Sequence, residues 1–202
     1  MSPIRQAELR DLAGIYRVCL QTGDAGMDAT GIYRDPDLLG HIYTGPYVVG
    51  QPRFAMVLAD VRGIGGYALG ASDTIAFRRW QEAEWWPSLR RQYLGADRTG
   101  ADGELIELLF DPPEPDPRLC ADYPAHLHID LAPRARGHGH GRALIEALID
   151  RLCAGSVRGV HLEVAPSNHN AIEFYRHLGF REYSRSDGGI VMVRRLNGLA
   201  TR

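Results

Sequence analysis

The chain is poor in cysteine and has no long apolar run. Its three cysteines, Cys19, Cys120 and Cys153, are odd in number and far apart, unlike the disulfide framework of a small secreted domain. No run approaches the ~18 apolar residues that suggest a membrane span. The polar N-terminus lacks the apolar stretch of a signal peptide. We therefore expect reduced thiols, a soluble cytoplasmic protein and no membrane partner.

The sequence also lacks an excess of positive charge. The net charge is −2 over 202 residues, and basic residues are scattered through the chain. Because a nucleic-acid-binding surface needs a basic stripe, we expect no nucleic-acid partner. A hydrophobic fraction of 45% is ordinary for a globular protein, and the length suits one α/β domain or at most two small ones.

Hydrophobic periodicity is clearest in the last eighty residues. The patterns predict helices over 11–20, 36–43, 74–93 (interrupted at Pro87), 141–153 and 170–178, and strands over 54–58, 65–69, 126–131, 160–164 and 190–194. The pair 54–58 and 65–69 forms a hairpin in this interpretation. Strands that alternate with helices in this order predict an α/β fold, a mixed sheet with helices on its faces.

Residues 95–124 are the least regular part of the pattern. The run DPPEPDP at 111–117 is incompatible with a helix or a central strand. We expect an insertion loop here, either a plain surface excursion or a lid over a substrate site. The expected organisation is one domain over 1–196, followed by a tail at 197–202.

A glycine-rich turn, ARGHGHGRAL, lies between a predicted strand and a predicted helix, with glycines at 137, 139 and 141. Glycines at alternate positions permit a tight turn and leave no side chain to exclude a ligand. The amides of a helix N-terminus favour an anion, and Arg136 and Arg142 add positive charge. The spacing matches neither G-x-G-x-x-G nor the mononucleotide P-loop. What remains is R-x-x-G-x-G, which is also compatible with an ordinary strand–helix turn.

A second motif lies downstream. SNHNAIEFYRHLGF at 167–180 resembles the second signature of the GNAT acetyltransferases, N-x-x-A-x-x-F-Y followed by G-F. The separation of the two motifs, one helix and one strand, is also typical of that family. IRQAELRDLAGIY at 4–16 is similar to the usual first strand and helix. The resemblance implies the GNAT fold, in which acetyl-CoA binds where two parallel strands splay apart.

The resemblance also implies cofactor contacts. The splayed strands would be 126–131 and 160–164, with backbone groups of Leu131, Ala132 and Pro133 bonded to the pantetheine arm. The pyrophosphate would lie on the amides of the turn and on the side chains beside it, and Asn168 would hold the cofactor from the second strand. The implied turn residues are Arg136, Gly137, His138, Gly139, His140, Gly141 and Arg142.

A narrower resemblance covers nearly the whole chain. GYALGASDTIAF at 66–77 and YPAHLHIDL at 123–131 are similar to the C-terminal acetyltransferase-like domain of animal O-GlcNAcase, and more so to free-standing bacterial homologues. The animal domain lacks the glycine-rich turn and is suspected to be a pseudo-acetyltransferase. Because this chain keeps RGHGHG, the resemblance implies that cofactor binding survives. It supplies no acceptor.

Acetyl transfer to an amine requires a base for the ammonium proton, a donor for the developing oxyanion and an acid for the thiolate. We expect a backbone N–H near Leu131 to donate a hydrogen bond to the oxyanion. Tyr175 aligns with the tyrosine that GNAT enzymes commonly use as the acid and also lines the expected cofactor site. A phenol with a pKa near ~10 is protonated at neutral pH. The alternative is that Tyr175 only packs in the core.

The base is assigned to the strand at 126–131. His126, His128 and Asp130 alternate there and share one face if the strand is regular. They form either a wet active-site face or a structural hydrogen-bond network. We favour Asp130 as the base and His128 second. A bulge, frequent in this family, would reverse the alternation.

Other polar and aromatic clusters are assigned no catalytic role. His138 and His140 have no completing set of ligands, so we expect no metal. Trp80, Trp85 and Trp86 are expected in the core or an interface rather than a substrate groove.

The sequence leaves the function itself with alternatives. The leading hypothesis is an N-acetyltransferase that acts on a primary amine, either a small molecule or a protein lysine, by direct attack in a ternary complex. A non-catalytic acetyl-CoA-binding or interaction module is second. A nucleotide- or NAD-binding enzyme is third.

Overall fold

One seven-stranded sheet runs through residues 4–196, the part of the chain that the structure, a computed structural model, describes. The strands are β1 (Ile4–Gln6), β2 (Ala55–Asp60), β3 (Gly63–Ala71), β4 (Ala125–Leu131), β5 (Gly159–Val164), β6 (Arg181–Arg185) and β7 (Ile190–Arg195). Their order across the sheet is β1-β2-β3-β4-β5-β7-β6. Neighbours are antiparallel except β4 and β5, which are parallel. The expected mixed sheet is confirmed.

Helices cover both faces of the sheet. They are α1 (Leu12–Leu20), α2 (Leu38–Tyr43), α3 (Gly45–Gly50), α4 (Thr74–Trp80), α5 (Trp86–Gln92), α6 (Gly100–Phe110), α7 (Pro117–Asp122), α8 (His140–Ala154) and α9 (His169–His177). A π-helical turn, Gln81–Trp85, joins α4 to α5. Pro87 lies in the first turn of α5, where its missing N–H costs nothing. The expected interruption at Pro87 is confirmed.

Strand alternation divides the apolar side chains into two cores. Val57 and Tyr67 face the layer of α1 to α6, whereas Met56 and Leu127 face α8 and α9. Because successive residues of a strand point to opposite faces, His126, His128 and Asp130 lie on the α1 side. Burying one large apolar side chain of either core stabilises the fold by about 1.5–3 kcal/mol. The strand β4 lies between the two cores.

The segment 95–124 differs from the irregular loop that the sequence predicts, because α6 and α7 occupy most of it. Leu105, Ile106 and Leu109 of α6 are buried in the core on the α1 side. Only 111–116 is without regular structure between these helices. The extent of the domain stays a prediction, and the expected tail at 197–202 lies outside the described residues.

Candidate active site

A gap opens in the sheet between β4 and β5. Their parallel ladder has only two pairs, Ala125 with Val160 and His126 with His161. On its other edge β4 stays paired with β3 in continuous register as far as Leu131. The expected splay of two parallel strands is therefore confirmed. The bulge that would have reversed the alternation in β4 does not interrupt that register.

Backbone groups of β4 point into the gap. The N–H of Ala132 donates to the carbonyl of Gly65 in β3, at 3.0 Å. Because N–H and C=O groups alternate in direction along an antiparallel strand, those of Ile129 and Leu131 point toward the gap. The Nε of Arg136 donates to the Leu131 carbonyl at 2.9 Å, in agreement with this direction. The N–H groups of Ile129 and Leu131 are thus directed into the gap.

The glycine-rich turn lies at one end of the gap. Gly137 and Gly139 have φ of +80° and +78°, a backbone conformation that residues with side chains rarely adopt. A Cβ atom added at either position would meet no atom within 4 Å. Gly139 caps the 15-residue helix α8. The amide of Ala143 makes the first α-helical bond, to Gly139 O, so the amides before it lack intrahelical acceptors. An open, donor-rich cradle results.

A cavity of about 670 Å³ extends from this turn into the gap. The expected cofactor residues that line it are Leu131, Arg136, Gly137, Gly139, His140, Gly141, Arg142, Asn168 and Tyr175. Ala132, Pro133 and His138 do not line it. Ala132 is buried, Pro133 lines a separate depression, and His138 is exposed on the turn.

Arg136 and Asn168 fasten a loop that sequence reasoning missed. The Nη2 of Arg136 donates to Gly26 O at 2.7 Å, and the Nδ2 of Asn168 donates to Ala25 O at 3.1 Å. The Oδ1 of Asn168 also accepts from the Ala171 amide at the start of α9. The loop around Gly26 closes one side of the cavity. Its signal in the sequence is only the high glycine content of 21–31.

A second cavity, of about 320 Å³, lies on the α1 side of the gap. It shares Asp130, Asn168 and Tyr175 with the first cavity. Cys19, Tyr43 and Tyr67, which the sequence did not single out, line it as well. Asp130 and Tyr175, two of the three predicted catalytic residues, therefore stand where the two cavities meet.

Asp130 is held by a buried tyrosine. The hydroxyl of Tyr67 donates to Asp130 Oδ2 at 2.5 Å. Burial raises the pKa of Asp130 to about 6, against the opposing hydrogen bond from Tyr67. The carboxylate is thus a stronger base than an exposed aspartate and is still mostly ionised at neutral pH.

His126 and His128 belong to one hydrogen-bond chain. Thr74 Oγ1 lies 2.8 Å from Pro124 O, which can only accept, so the threonine oxygen accepts from His126 Nδ1 at 2.7 Å. His126 Nε2 then accepts from the Tyr47 hydroxyl at 2.7 Å, and that oxygen accepts from His128 Nε2 at 2.9 Å. In this sequence of donors and acceptors His128 carries its proton on Nε2, so its Nδ1 is unprotonated. Burial lowers the pKa of His128 to about 4, which keeps the ring neutral.

Tyr175 is 8% exposed and lines both cavities. Burial, followed by the nearby charge of Asp130, raises the pKa of its hydroxyl. Its ring also meets Phe180 edge-on at 5.7 Å between centroids. Tyr175 therefore packs in the core and at the same time presents a protonated phenol to the gap.

The remaining candidates lie elsewhere. Trp86 is buried and Trp80 and Trp85 pack against the core, as expected, but Trp86 also lines a cavity beside α4 and α5. Residues 4–196 contain no group of three or more His, Cys, Asp or Glu side chains placed to hold a metal ion. Over the same residues, no helix has the length and apolar character needed to cross a membrane.

A mixed sheet that opens between two parallel strands beside a glycine-rich turn places the chain in the acetyltransferase class of folds. The model of the Acetyltransferase (GNAT) family matches residues 75–180. The solved structure of SsHAT superposes with a TM-score of 0.87 at 34% identity, covering 96% of this chain and 98% of that one. This chain belongs to the GNAT family.

More distant relatives agree. The rat protein O-GlcNAcase is 28% identical over 184 residues, which is 89% of this chain but only 20% of the rat protein. The chain thus spans about a fifth of that curated relative. A phosphinothricin acetyltransferase from Sinorhizobium meliloti, solved in complex with AcCoA, has 21% identity and a TM-score of 0.57 over 98% of this chain and 91% of that one. The latter likeness supports the fold.

Proposed function

We propose that this protein is an N-acetyltransferase that transfers the acetyl group of acetyl-CoA to a primary amine by direct attack in a ternary complex. The observation that carries the proposal is the meeting of two cavities at Asp130 and Tyr175. One cavity begins at free helix amides, and the other is lined by buried polar side chains. Two substrates can therefore reach one point from opposite sides of the sheet.

The glycine-rich turn fits a diphosphate. The amides of His140, Gly141 and Arg142 open α8, and the open space beside Gly137 and Gly139 admits an anion close to the backbone. The N–H groups of Ile129 and Leu131 are placed to bind carbonyl oxygens in the gap. When bound, acetyl-CoA supplies an activated acetyl thioester. Because Arg136 and Asn168 hold the loop around Gly26, we propose that they shape the cavity as well as line it.

The reaction needs two proton transfers. A lysine-like amine has a pKa of ~10.4, so its proton must be removed before it can attack. We assign this role to Asp130 and place His128 second, through its bare Nδ1. Tyr175 keeps its proton at neutral pH and is assigned to protonate the sulfur that leaves. An oxyanion would be bound by the backbone N–H groups of β4.

Release of free CoA thiol tests the proposal. Purified protein and acetyl-CoA are incubated with a panel of primary amines that includes polyamines, peptides and lysine-containing peptides. Thiol release that depends on both the amine and Tyr175 supports catalysis. Binding of acetyl-CoA without release across the panel would favour the non-catalytic module. We place the reaction in the cytoplasm, since the three cysteines are unpaired thiols.

A further inference from the structure

A third cavity, of about 500 Å³, adjoins the acceptor side of the gap. It shares Tyr43, His128 and Glu163 with the second cavity and continues along β4 to His126, away from the glycine-rich turn. Its outer walls are α4, α5 and the irregular segment 111–116. The acetyl-transfer proposal does not use this space.

Two residues that line the third cavity carry buried nitrogen atoms without hydrogen-bond partners among the described residues. These atoms are Nη1 of Arg78 and Nε1 of Trp86. The other end of the same guanidinium is fixed, since Nη2 of Arg78 donates to Pro113 O at 2.7 Å. Buried donors without an acceptor are rare in proteins and call for an explanation. Both would be satisfied by acceptor oxygens inside the cavity.

The charge of Arg78 points to an anion. Burial lowers its pKa, and the carboxylates of Glu114 and Glu82 oppose this only in part. Glu82 is already bound at both oxygens by Arg90, at 2.7 and 2.9 Å. A guanidinium in this position is suited to a carboxylate, because its planar donors match the two oxygens.

The opposite end of the connected cavities suits an amine, because Asp130 lines it and Glu163 lies where the second and third cavities join. Arg78 lies near the other end, beside His126. The pKa of His126 is lowered first by burial, then by the neighbouring histidines and then by the charge of Arg78. A strand rises about 3.3 Å per residue, so the two-residue step from His126 to His128 covers about 7 Å and the step to Asp130 about 13 Å. The end near Arg78 and the end that suits an amine are therefore about 7–13 Å apart.

We propose that the third cavity is an acceptor subsite and that the acceptor is an amine bearing a carboxylate about 7–13 Å from the reacting nitrogen. Arg78 and Trp86 bind this carboxylate. An extended peptide spans about 3.3–3.6 Å per residue, so a peptide of two to four residues with free ends has the required length. The inference rests on the proposed function and names its substrate class.

The test compares triglycine with triglycinamide as acceptors for acetyl-CoA, by release of CoA thiol. We expect kcat/KM to be about 10- to 100-fold higher for the free acid, the range of a charge-assisted hydrogen bond. Arg78→Met should abolish the preference, and Trp86→Phe should reduce it. The matched control is Arg79→Met, because Arg79 is the exposed neighbour on the same helix. Arg78→Lys, which keeps the charge, serves if the Met variant fails to fold.

Equal kcat/KM for acid and amide, or a preference that survives Arg78→Met, would overturn the subsite. Turnover of polyamines without turnover of either peptide would also overturn it, while leaving acetyl transfer in place. Absence of thiol release with every amine would instead reject the proposed function together with the subsite.

Discussion

Burial sets the proton affinities of the side chains in the gap. It raises the pKa of Asp130 to about 6 and that of Tyr175 above its ordinary value, and it lowers that of His128 to about 4. At neutral pH the three groups are therefore an ionised carboxylate, a protonated phenol and a neutral imidazole. The two cavities that Asp130 and Tyr175 both line therefore hold one proton acceptor and one proton donor, which removal of a proton from an amine and delivery of one to a sulfur require.

Substitution of Tyr175 tests the donor. Tyr175→Phe keeps the packing against Phe180 and removes the proton, so we expect kcat to fall by about 10²- to 10⁴-fold. Acetyl-CoA affinity, measured by calorimetry, should change little. Tyr183→Phe, at an exposed tyrosine of β6, is the control. An unchanged kcat would remove Tyr175 from the mechanism.

The pH profile tests the acceptor. Because the base must be ionised, kcat/KM should rise with pH through about 6, the pKa of Asp130, and then level off until another group titrates. Asp130→Asn should lower kcat/KM by at least about 10² and remove this inflection. A profile that rises instead near pH 4, the pKa of His128, would transfer the role to His128.

Elements with a strong local signal could be predicted from the sequence, and the others could not. The glycine-rich turn, α8 and α9 combine apolar periodicity with glycine or asparagine at their ends. In contrast, every residue of β6 is exposed, so no alternation revealed it. The prolines at 112–117 led to the prediction of a loop where α6 lies. The apolar residues of α6 are buried by contacts with residues distant in sequence.

The candidate site shows the same division. The positions of Asp130 and Tyr175 could be predicted, that of Asp130 from the alternation along 126–131 and that of Tyr175 from the second motif, and both residues line the two cavities at the gap. Tyr67, Tyr47 and the loop around Gly26 could not, since their roles depend on hydrogen bonds between distant segments. Sequence patterns report local geometry, whereas these partners are set by the tertiary fold.

The turn itself can be tested by a matched pair of glycines. Gly139 and Gly63 both have positive φ and open space at the Cβ position, but Gly63 lies in the β2–β3 hairpin. Gly139→Leu and Gly63→Leu should both lower the melting temperature through backbone strain. Only Gly139→Leu should abolish acetyl-CoA binding, because its side chain would fill the cradle.

Calorimetry on both variants distinguishes these effects. Loss of affinity in both would mean that the strain, rather than the obstruction, disrupts the site. Normal affinity in Gly139→Leu would refute the placement of the diphosphate on this turn.

On the scale of the whole molecule, the gap forms where β4 and β5 run parallel, while the other neighbouring strands within residues 4–196 are antiparallel. The two cores hold β4 against β3 while β5 diverges from it, and the cavities follow this gap from one face to the other. The architecture is that of the GNAT family. The curated relatives from rat and mouse match this chain over only a fifth of their own length.

Titration calorimetry with acetyl-CoA and with acetyl-pantetheine, which lacks the diphosphate, tests the central claim most directly. We predict measurable binding of acetyl-CoA and an affinity for acetyl-pantetheine lower by at least about 100-fold, equivalent to about 2.7 kcal/mol. Equal affinities, or no detectable binding of acetyl-CoA, would contradict the assignment of the glycine-rich turn as the cradle that directs the thioester into the gap.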